Sequence, residues 1–170
     1  MVKDGSGTKQ ISNGKNNMNP NTVLAIARAD IGYKEGPNND TLAGKFTGAN
    51  HQPWCASWIA YIFHRAGCPQ LYPKRLVNCN DALAYFAKLG QLVPIDQAMP
   101  GDLVLFNFDQ NPTTVEHIGI VYVPQPKLRR LITIEGNTNN DGSANGDSVQ
   151  KKSRPYGKIV AIARPRWETS

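Results

Sequence analysis

Two side chains in this sequence, Cys55 and His117, have the types and the separation that nucleophilic acyl chemistry requires. Cys55 stands at the start of an apolar run that reads as a helix from about Trp54 to Ala66. A helix N-terminus offers unpaired N–H groups and the positive end of the helix dipole, and both stabilise a thiolate. The same N–H groups can hold the oxyanion formed when a carbonyl is attacked. A cysteine alone in such a run reads more readily as a small core residue. His117 shifts that balance, because cysteine catalysis needs an imidazole distant in sequence and near in space. It opens the strand-like run His117-Ile118-Gly119-Ile120-Val121.

A third member follows from register. The runs 117–123 and 131–135 form a hairpin if the segment Pro124 to Leu128 turns the chain. A turn centred on residue 126 places Glu135 directly opposite His117, and cross-strand partners share a face. Asn137 lies two residues further and shares that face if the strand continues. Either side chain can orient the imidazole through its second nitrogen. A bulge would shift the register by one and break this relation.

The elements that must position these residues come in a simple order. Asn19-Pro20 reads as a cap and first helical residue, leading a helix from Thr22 to Ile31 that Gly32 stops. Residues 34–52 are rich in Gly and Asn and read as a long functional loop. The helix after Trp54 is apolar on most sides and ends at Gly67 and Pro69. A third helix starts at Asn80 or Asp81 and ends before Gly90. Strands follow at 103–106, 118–123, 131–134 and 159–163, with a polar turn region at 137–146. Helices first and strands second imply an α+β domain with helices packed on one antiparallel sheet. The expected organisation is a flexible polar leader over 1–20, one catalytic domain over 21–167 and a short tail over 168–170.

The bulk properties bound the function. The chain has 170 residues, 40% hydrophobic and 19% charged, which suits one folded domain and excludes a disordered one. No apolar run is long enough to span a bilayer, so membrane insertion is not expected. Residues 1–21 lack the apolar centre of a secretory signal, so synthesis without an export signal is expected. Net charge is +6, and residues 125–170 carry most of it, with nine Lys/Arg against four acids. A basic face draws polyanions, or is simply a solvated surface. No basic stripe is interleaved with aromatics, so nucleic acid is not an expected partner. Three cysteines cannot form a closed disulfide framework, which points to a reducing compartment of synthesis. His51/Cys55 and His64/Cys68 share a four-residue spacing, but about 16 Å of helix separates the pairs, so one zinc ion cannot collect all four. Ser57, inside the helix, is no serious nucleophile.

Four segments resemble the CHAP family of cysteine, histidine-dependent amidohydrolases/peptidases. Pro53-Trp54-Cys55-Ala56-Ser57-Trp58 is similar to its nucleophile motif, and Met99-Pro100-Gly101-Asp102-Leu103-Val104-Leu105-Phe106 to its "PGDLVFF" strand. His117-Ile118-Gly119-Ile120-Val121 resembles its "HVGIV" strand, and Ile134-Glu135-Gly136-Asn137 its "EGN" segment. The stretch Ala29 to Asn39 resembles the region before the family's cysteine. The likeness spans roughly residues 22–166 in the family's order, and four pieces in order are a far stronger signal than any one. It implies a papain-like α+β fold of the NlpC/P60 type that cleaves peptidoglycan. It also implies Cys55 as nucleophile, His117 as base and then acid, Glu135 as its orienter and Asn137 as a fourth polar position. Asn50 and Gln52 are expected as further oxyanion donors, and Trp54 as a wall of the cleft. Some members bind calcium before the cysteine. This loop offers mainly Asp40, with Glu35, Asn38 and Asn39 nearby, so no metal and no cofactor are expected. The expected protein is a monomeric phage lysin acting on the bacterial wall at an amide of the peptide moiety. Rival readings are a wall- or polyanion-binding module without activity, and a cysteine peptidase or toxin acting on another peptide.

Overall fold

Asparagine and threonine caps decide where most of the helices begin. A computed structural model describes residues 18–109, 111, 113–140 and 145–167. The Asn19 side chain accepts from the N–H groups of Asn21 and Thr22, and Pro20 opens α1 (Pro20–Ala29). Pro20 is thus the first residue of the helix, as the Asn19-Pro20 pair predicts. The rest of the expected leader, up to residue 17, and the tail 168–170 lie outside the described residues. The loop expected over 34–52 contains a short helix, α2 (Leu42–Thr47). Thr41 caps it by accepting from the Gly44 N–H at 2.8 Å, and left-handed Gly48 ends it. Next come α3 (Cys55–Arg65) and α4 (Cys79–Lys88), the latter capped by Asn78. Helix α3 differs from the other three, since Trp54 precedes it and no side chain caps it.

Two tethers hold α3 to the chain before it. The Trp58 indole N–H donates to Asp30 at 3.0 Å, and Asp30 also binds Arg65. The Trp54 indole N–H donates to Glu35 at 2.5 Å, with Tyr33 packed edge-on against its ring. Both anchors come from the stretch Ala29 to Asn39. That stretch therefore fixes the position of the helix carrying Cys55.

The strands are β1 (Leu92–Val93), β2 (Leu103–Phe106), β3 (His117–Gln125), β4 (Arg130–Thr138), β5 (Ser148–Pro155) and β6 (Ile159–Ala163). They form one sheet in the order β1-β6-β2-β3-β4-β5, with every neighbouring pair antiparallel. Strand β2 is buried on both faces, in keeping with its unbroken apolar sequence. Val23, Trp58, Ile62 and Phe63 meet Leu103, Leu105, Ile118 and Ile120 in one apolar layer. Val104, Phe106, Val121 and Ile162 form a second. Asp102 ties the sheet together by receiving a paired donation from Arg164 at 2.9 and 2.8 Å.

The hairpin of β3 and β4 departs from the expected register. Its loop is a single 3-10 turn over Pro126–Leu128 followed by left-handed Arg129, and Gln125 pairs with Arg130. Relative to a turn centred on residue 126, every pair near the loop is displaced by three, which alone would turn Glu135 to the wrong face. A bulge at Tyr122, between the pairs Val121↔Thr133 and Val123↔Ile132, takes back one residue. The net displacement is two, so the face is preserved. Continued one step beyond Ile120↔Ile134, the ladder sets Gly119, not His117, level with Glu135.

Close approach of β4 to α3 depends on Gly136. A Cβ there would stand 2.8 Å from the Trp54 ring and 2.9 Å from the Trp58 Cβ. Gly136→Ala is expected to cost about 1–3 kcal/mol through overpacking, read as a lower urea midpoint at unchanged m-value.

Candidate active site

Cys55 is the first residue of α3, buried with 5% of its surface exposed. With no cap and no acid in the first turn, the helix directs its free N–H groups and positive end at this residue. His117 comes from the start of β3, paired with Phe106 of β2, and the Phe106 ring stacks at 5.9 Å from the imidazole. The loop before it is shaped by Glu116, which accepts from the N–H groups of Phe108 and Asp109.

The imidazole Nε2 lies 2.9 Å from Glu135 Oε2. Glu135 reaches it diagonally across Gly119, where a Cβ would come within 2.6 Å of the Glu135 Cγ. The carboxylate has no exposed surface, yet its oxygens are well supplied with donors. Thr133 Oγ1 donates to Oε1 at 2.5 Å. Arg154 of β5 donates through Nε to Oε1 at 2.9 Å and through Nη2 to Oε2 at 2.6 Å. The Arg154 guanidinium is itself clamped over the ring of Phe108, 4.7 Å from its centroid.

These contacts divide the charges. Burial works to keep Glu135 protonated, but Arg154 and His117 hold it ionised, with a pKa of about 2. Burial works to neutralise His117, yet its hydrogen bonds to Cys55 and Glu135 and their charges raise it to about 9. Cys55 is drawn well below the ordinary thiol range, first by its hydrogen bond with Cys79 and then by His117 and the backbone of Ile118, against its burial. These shifts favour a thiolate on Cys55 and an imidazolium on His117, with a buried carboxylate behind them. Such a pair can attack a carbonyl and protonate a leaving amine.

The structure brings Cys55, His117 and Glu135 together, and treats the other expected residues differently. Asn137 is 2% exposed and sits in the left-handed region, φ 54°, at a bulge between the pairs Glu135↔Gln150 and Thr138↔Ser148. The continuous strand that would have set its face is thus interrupted. Its Oδ1 is buried without a hydrogen-bond partner. Asn50 is engaged in the loop, accepting from the Thr41 N–H at 2.9 Å and donating to Asp40 at 2.6 Å. These bonds make it a clamp of the loop before Cys55. Gln52 is exposed three residues before the cysteine. Trp54 has no exposed surface, and its N–H is taken by Glu35. Lys45 and Asn50 together occupy the Asp40 carboxylate. Ser57 is buried and bonded to Thr47.

Two residues close to the centre escape a reading of the sequence. Arg154 lies on a Lys-rich strand whose alternation, Lys151 to Pro155, reads as a charged surface. Cys79 Sγ lies 3.6 Å from Cys55 Sγ, and nothing in its local sequence distinguishes it from a core cysteine. The cysteine spacing that would reveal it is set by the packing of two helices, not by the chain.

Helices covering one antiparallel sheet, with the polar cluster at the helix–strand junction, define an α+β protein. The fold is similar to that of the wild-type endolysin LysIME-EF1, with a TM-score of 0.57 at 15% identity. The likeness covers 89% of this chain and 66% of that one, so the chain spans just under two thirds of the endolysin's length. No family model matches the sequence, and no curated protein is significantly similar to it.

Proposed function

We propose that this chain is a cysteine amidase or endopeptidase of the CHAP type, with a papain-like catalytic domain over residues 21–167. Its substrate is an amide bond in the peptide moiety of bacterial peptidoglycan, as in a phage lysin. The observation that carries the reading is the buried Cys55–His117–Glu135 chain at an uncapped helix N-terminus. The likeness of its fold to an endolysin and the four CHAP-like segments supply the substrate class.

In the proposed reaction the Cys55 thiolate forms a C–S bond to the carbonyl carbon. The N–H groups opening α3 hold the resulting oxyanion, and Gln52 is the loop side chain left free to join them. His117 gives its Nδ1 proton to the amine as the C–N bond breaks, which leaves a thioester. Water, losing a proton to His117, attacks the thioester and releases the carboxylic acid, and the thiolate–imidazolium pair is restored. Glu135 keeps the imidazole oriented through Nε2, as the carboxylate of a serine triad does. Asn137 is retained as the fourth polar position. The protein acts as a monomer, without metal or cofactor.

Digestion of purified peptidoglycan followed by mass spectrometry tests this. Soluble fragments with new amine and carboxylate ends are expected, each pair differing from its parent by one water. Release of new reducing sugar ends instead, or no release at all, would sink the reading. The masses also identify which amide is cut.

A further inference from the structure

Cys79 is the first residue of α4, 6% exposed, and its sulfur faces the Cys55 sulfur at 3.6 Å. Both thiols are free. At this separation one sulfur donates a hydrogen bond to the other, and the surroundings decide which. Helix α3 opens with no cap and no acid, and Cys55 faces His117. Helix α4 opens with Asn78 accepting from the N–H groups of Asn80 and Asp81, and with the Asp81 carboxylate in its first turn. A negative charge is therefore favoured on Cys55 and disfavoured on Cys79. Among the described residues the Cys79 thiol has no other hydrogen-bond partner. A second link fixes the geometry: Asn80 accepts from the Val115 N–H at 3.0 Å, tying the start of α4 to the loop that leads into His117.

We propose that Cys79 is a catalytic residue of this site, its S–H donating to the Cys55 sulfur and holding it as the attacking thiolate. The proposal rests on Cys55 being the nucleophile. The titratable groups facing Cys55 are His117 from β3, Cys79 from α4 and Tyr72 from the segment between α3 and α4. Glu135 of β4 and Arg154 of β5 stand behind His117. Tyr72 is no donor to the sulfur, because its hydroxyl donates to the Leu76 carbonyl at 3.1 Å. A neutral thiol is suited to the task. It donates without bringing a second charge into a buried site, and its hydrogen bond with Cys55, together with its burial, raises its own pKa well above the ordinary range.

Such a donor has two opposed effects. It enlarges the thiolate fraction at low pH, and it withdraws electron density from the sulfur, so each thiolate attacks more slowly. The pair of effects separates a donor from a packing residue. Carboxamidomethylation of Cys55 by iodoacetamide, followed across pH by peptide mass mapping in the whole chain, reads both. In the wild type the midpoint is expected well below the ordinary thiol value of about 8.5. Cys79→Ala is expected to move that midpoint up by about one to two units. Above it, the limiting rate constant rises about 3- to 10-fold. Cys79→Ser keeps a donor and holds the midpoint closer to the wild type. Cys79→Val, which removes the donor and leaves no cavity, serves equally well if the alanine variant does not fold. A Cys55 midpoint unchanged in Cys79→Ala or Cys79→Val overturns the proposal. A wild-type midpoint near 8.5 instead overturns the nucleophile reading beneath it.

Discussion

Cys55→Ser is expected to lower peptidoglycan hydrolysis by roughly 10⁴-fold or more. Its far-UV spectrum is expected to stay that of the wild type, with a modest fall in urea midpoint because buried His117 loses its thiolate partner. The substitution replaces one small buried side chain by another, so the fold has little reason to respond. The chemistry has every reason. The site holds His117 as imidazolium, its pKa raised to about 9, and it does so around a sulfur that ionises far more readily than a hydroxyl. A serine in that place cannot form the ion pair, and an imidazolium cannot serve as its base. The same pairing of charges sets the wild-type pH profile. Activity needs the thiolate and the proton on His117 together. It is expected to rise through the depressed Cys55 titration, hold across neutrality and fall near pH 9 as His117 loses its proton. Turbidity clearance of purified walls between pH 4 and 10 reads both limbs. Clearing retained in Cys55→Ser, or a rate still climbing well past pH 9, would show that another group does the chemistry.

How much of this was legible in the sequence depends on what each residue answers to. Cys55 announces itself because an apolar run, a glycine stop and a proline define its helix locally. His117 and Glu135 are legible as a pair because alternation fixes which face a strand residue takes. A turn centred on residue 126 implies a register two residues from the observed one, yet it sets Glu135 on the same face as His117. The 3-10 loop contributed an odd displacement, and the bulge at Tyr122 restored the parity. Parity is what the face depends on, so an even error left the pairing intact. Asn137 had no such protection. Its left-handed backbone sits in a bulge shared with β5, a strand whose Ser148–Pro155 sequence is too polar to read as one. The same polarity hid Arg154, which looks like a surface charge until β5 is laid beside β4. Cys79 was illegible for a different reason. Its distance from Cys55 is a property of how α3 and α4 pack, and no local pattern reports that. Trp54 and Asn50 show the converse, since adjacency to the nucleophile suggested contact with substrate. What the sequence does not show is that Trp54 is buried and bonded to Glu35, and that Asn50 is bonded to Asp40 and Thr41.

Glu135→Gln tests the carboxylate that supports the imidazole, and large losses in both stability and activity are expected from it. In the native site Glu135 carries a full charge, receives two bonds from Arg154, one from Thr133 and one from the imidazole, and has no contact with water. The amide preserves the shape and removes the charge. Arg154, mostly buried over Phe108, is then left without its counter-ion, and the amide nitrogen must face a donor. Breaking one side of such a buried pair costs about 3–5 kcal/mol. The pH dependence carries a signature of its own. A carboxyl whose folded pKa is about 2 against an ordinary 4.5 contributes stability above pH 4.5, and loses it as pH falls through 2. Urea midpoints of the wild type should therefore drop between pH 4.5 and 2, and those of Glu135→Gln should flatten there. On the activity side, an imidazole with its orienting partner neutralised is expected to lose roughly 10²- to 10⁴-fold in rate. Its alkaline limb should also move below 9, because the carboxylate is one of the groups that keep the proton on His117. Gly119→Ala offers the same test without touching any polar group. The added Cβ, 2.6 Å from the Glu135 Cγ, must push the carboxylate off its path to Nε2. If Gly119→Ala lowers the rate and shifts the alkaline limb in the direction of Glu135→Gln, the glycine in the histidine strand exists to let the carboxylate cross. A Gly119→Ala protein with wild-type rate and pH profile would show that His117 does not depend on Glu135.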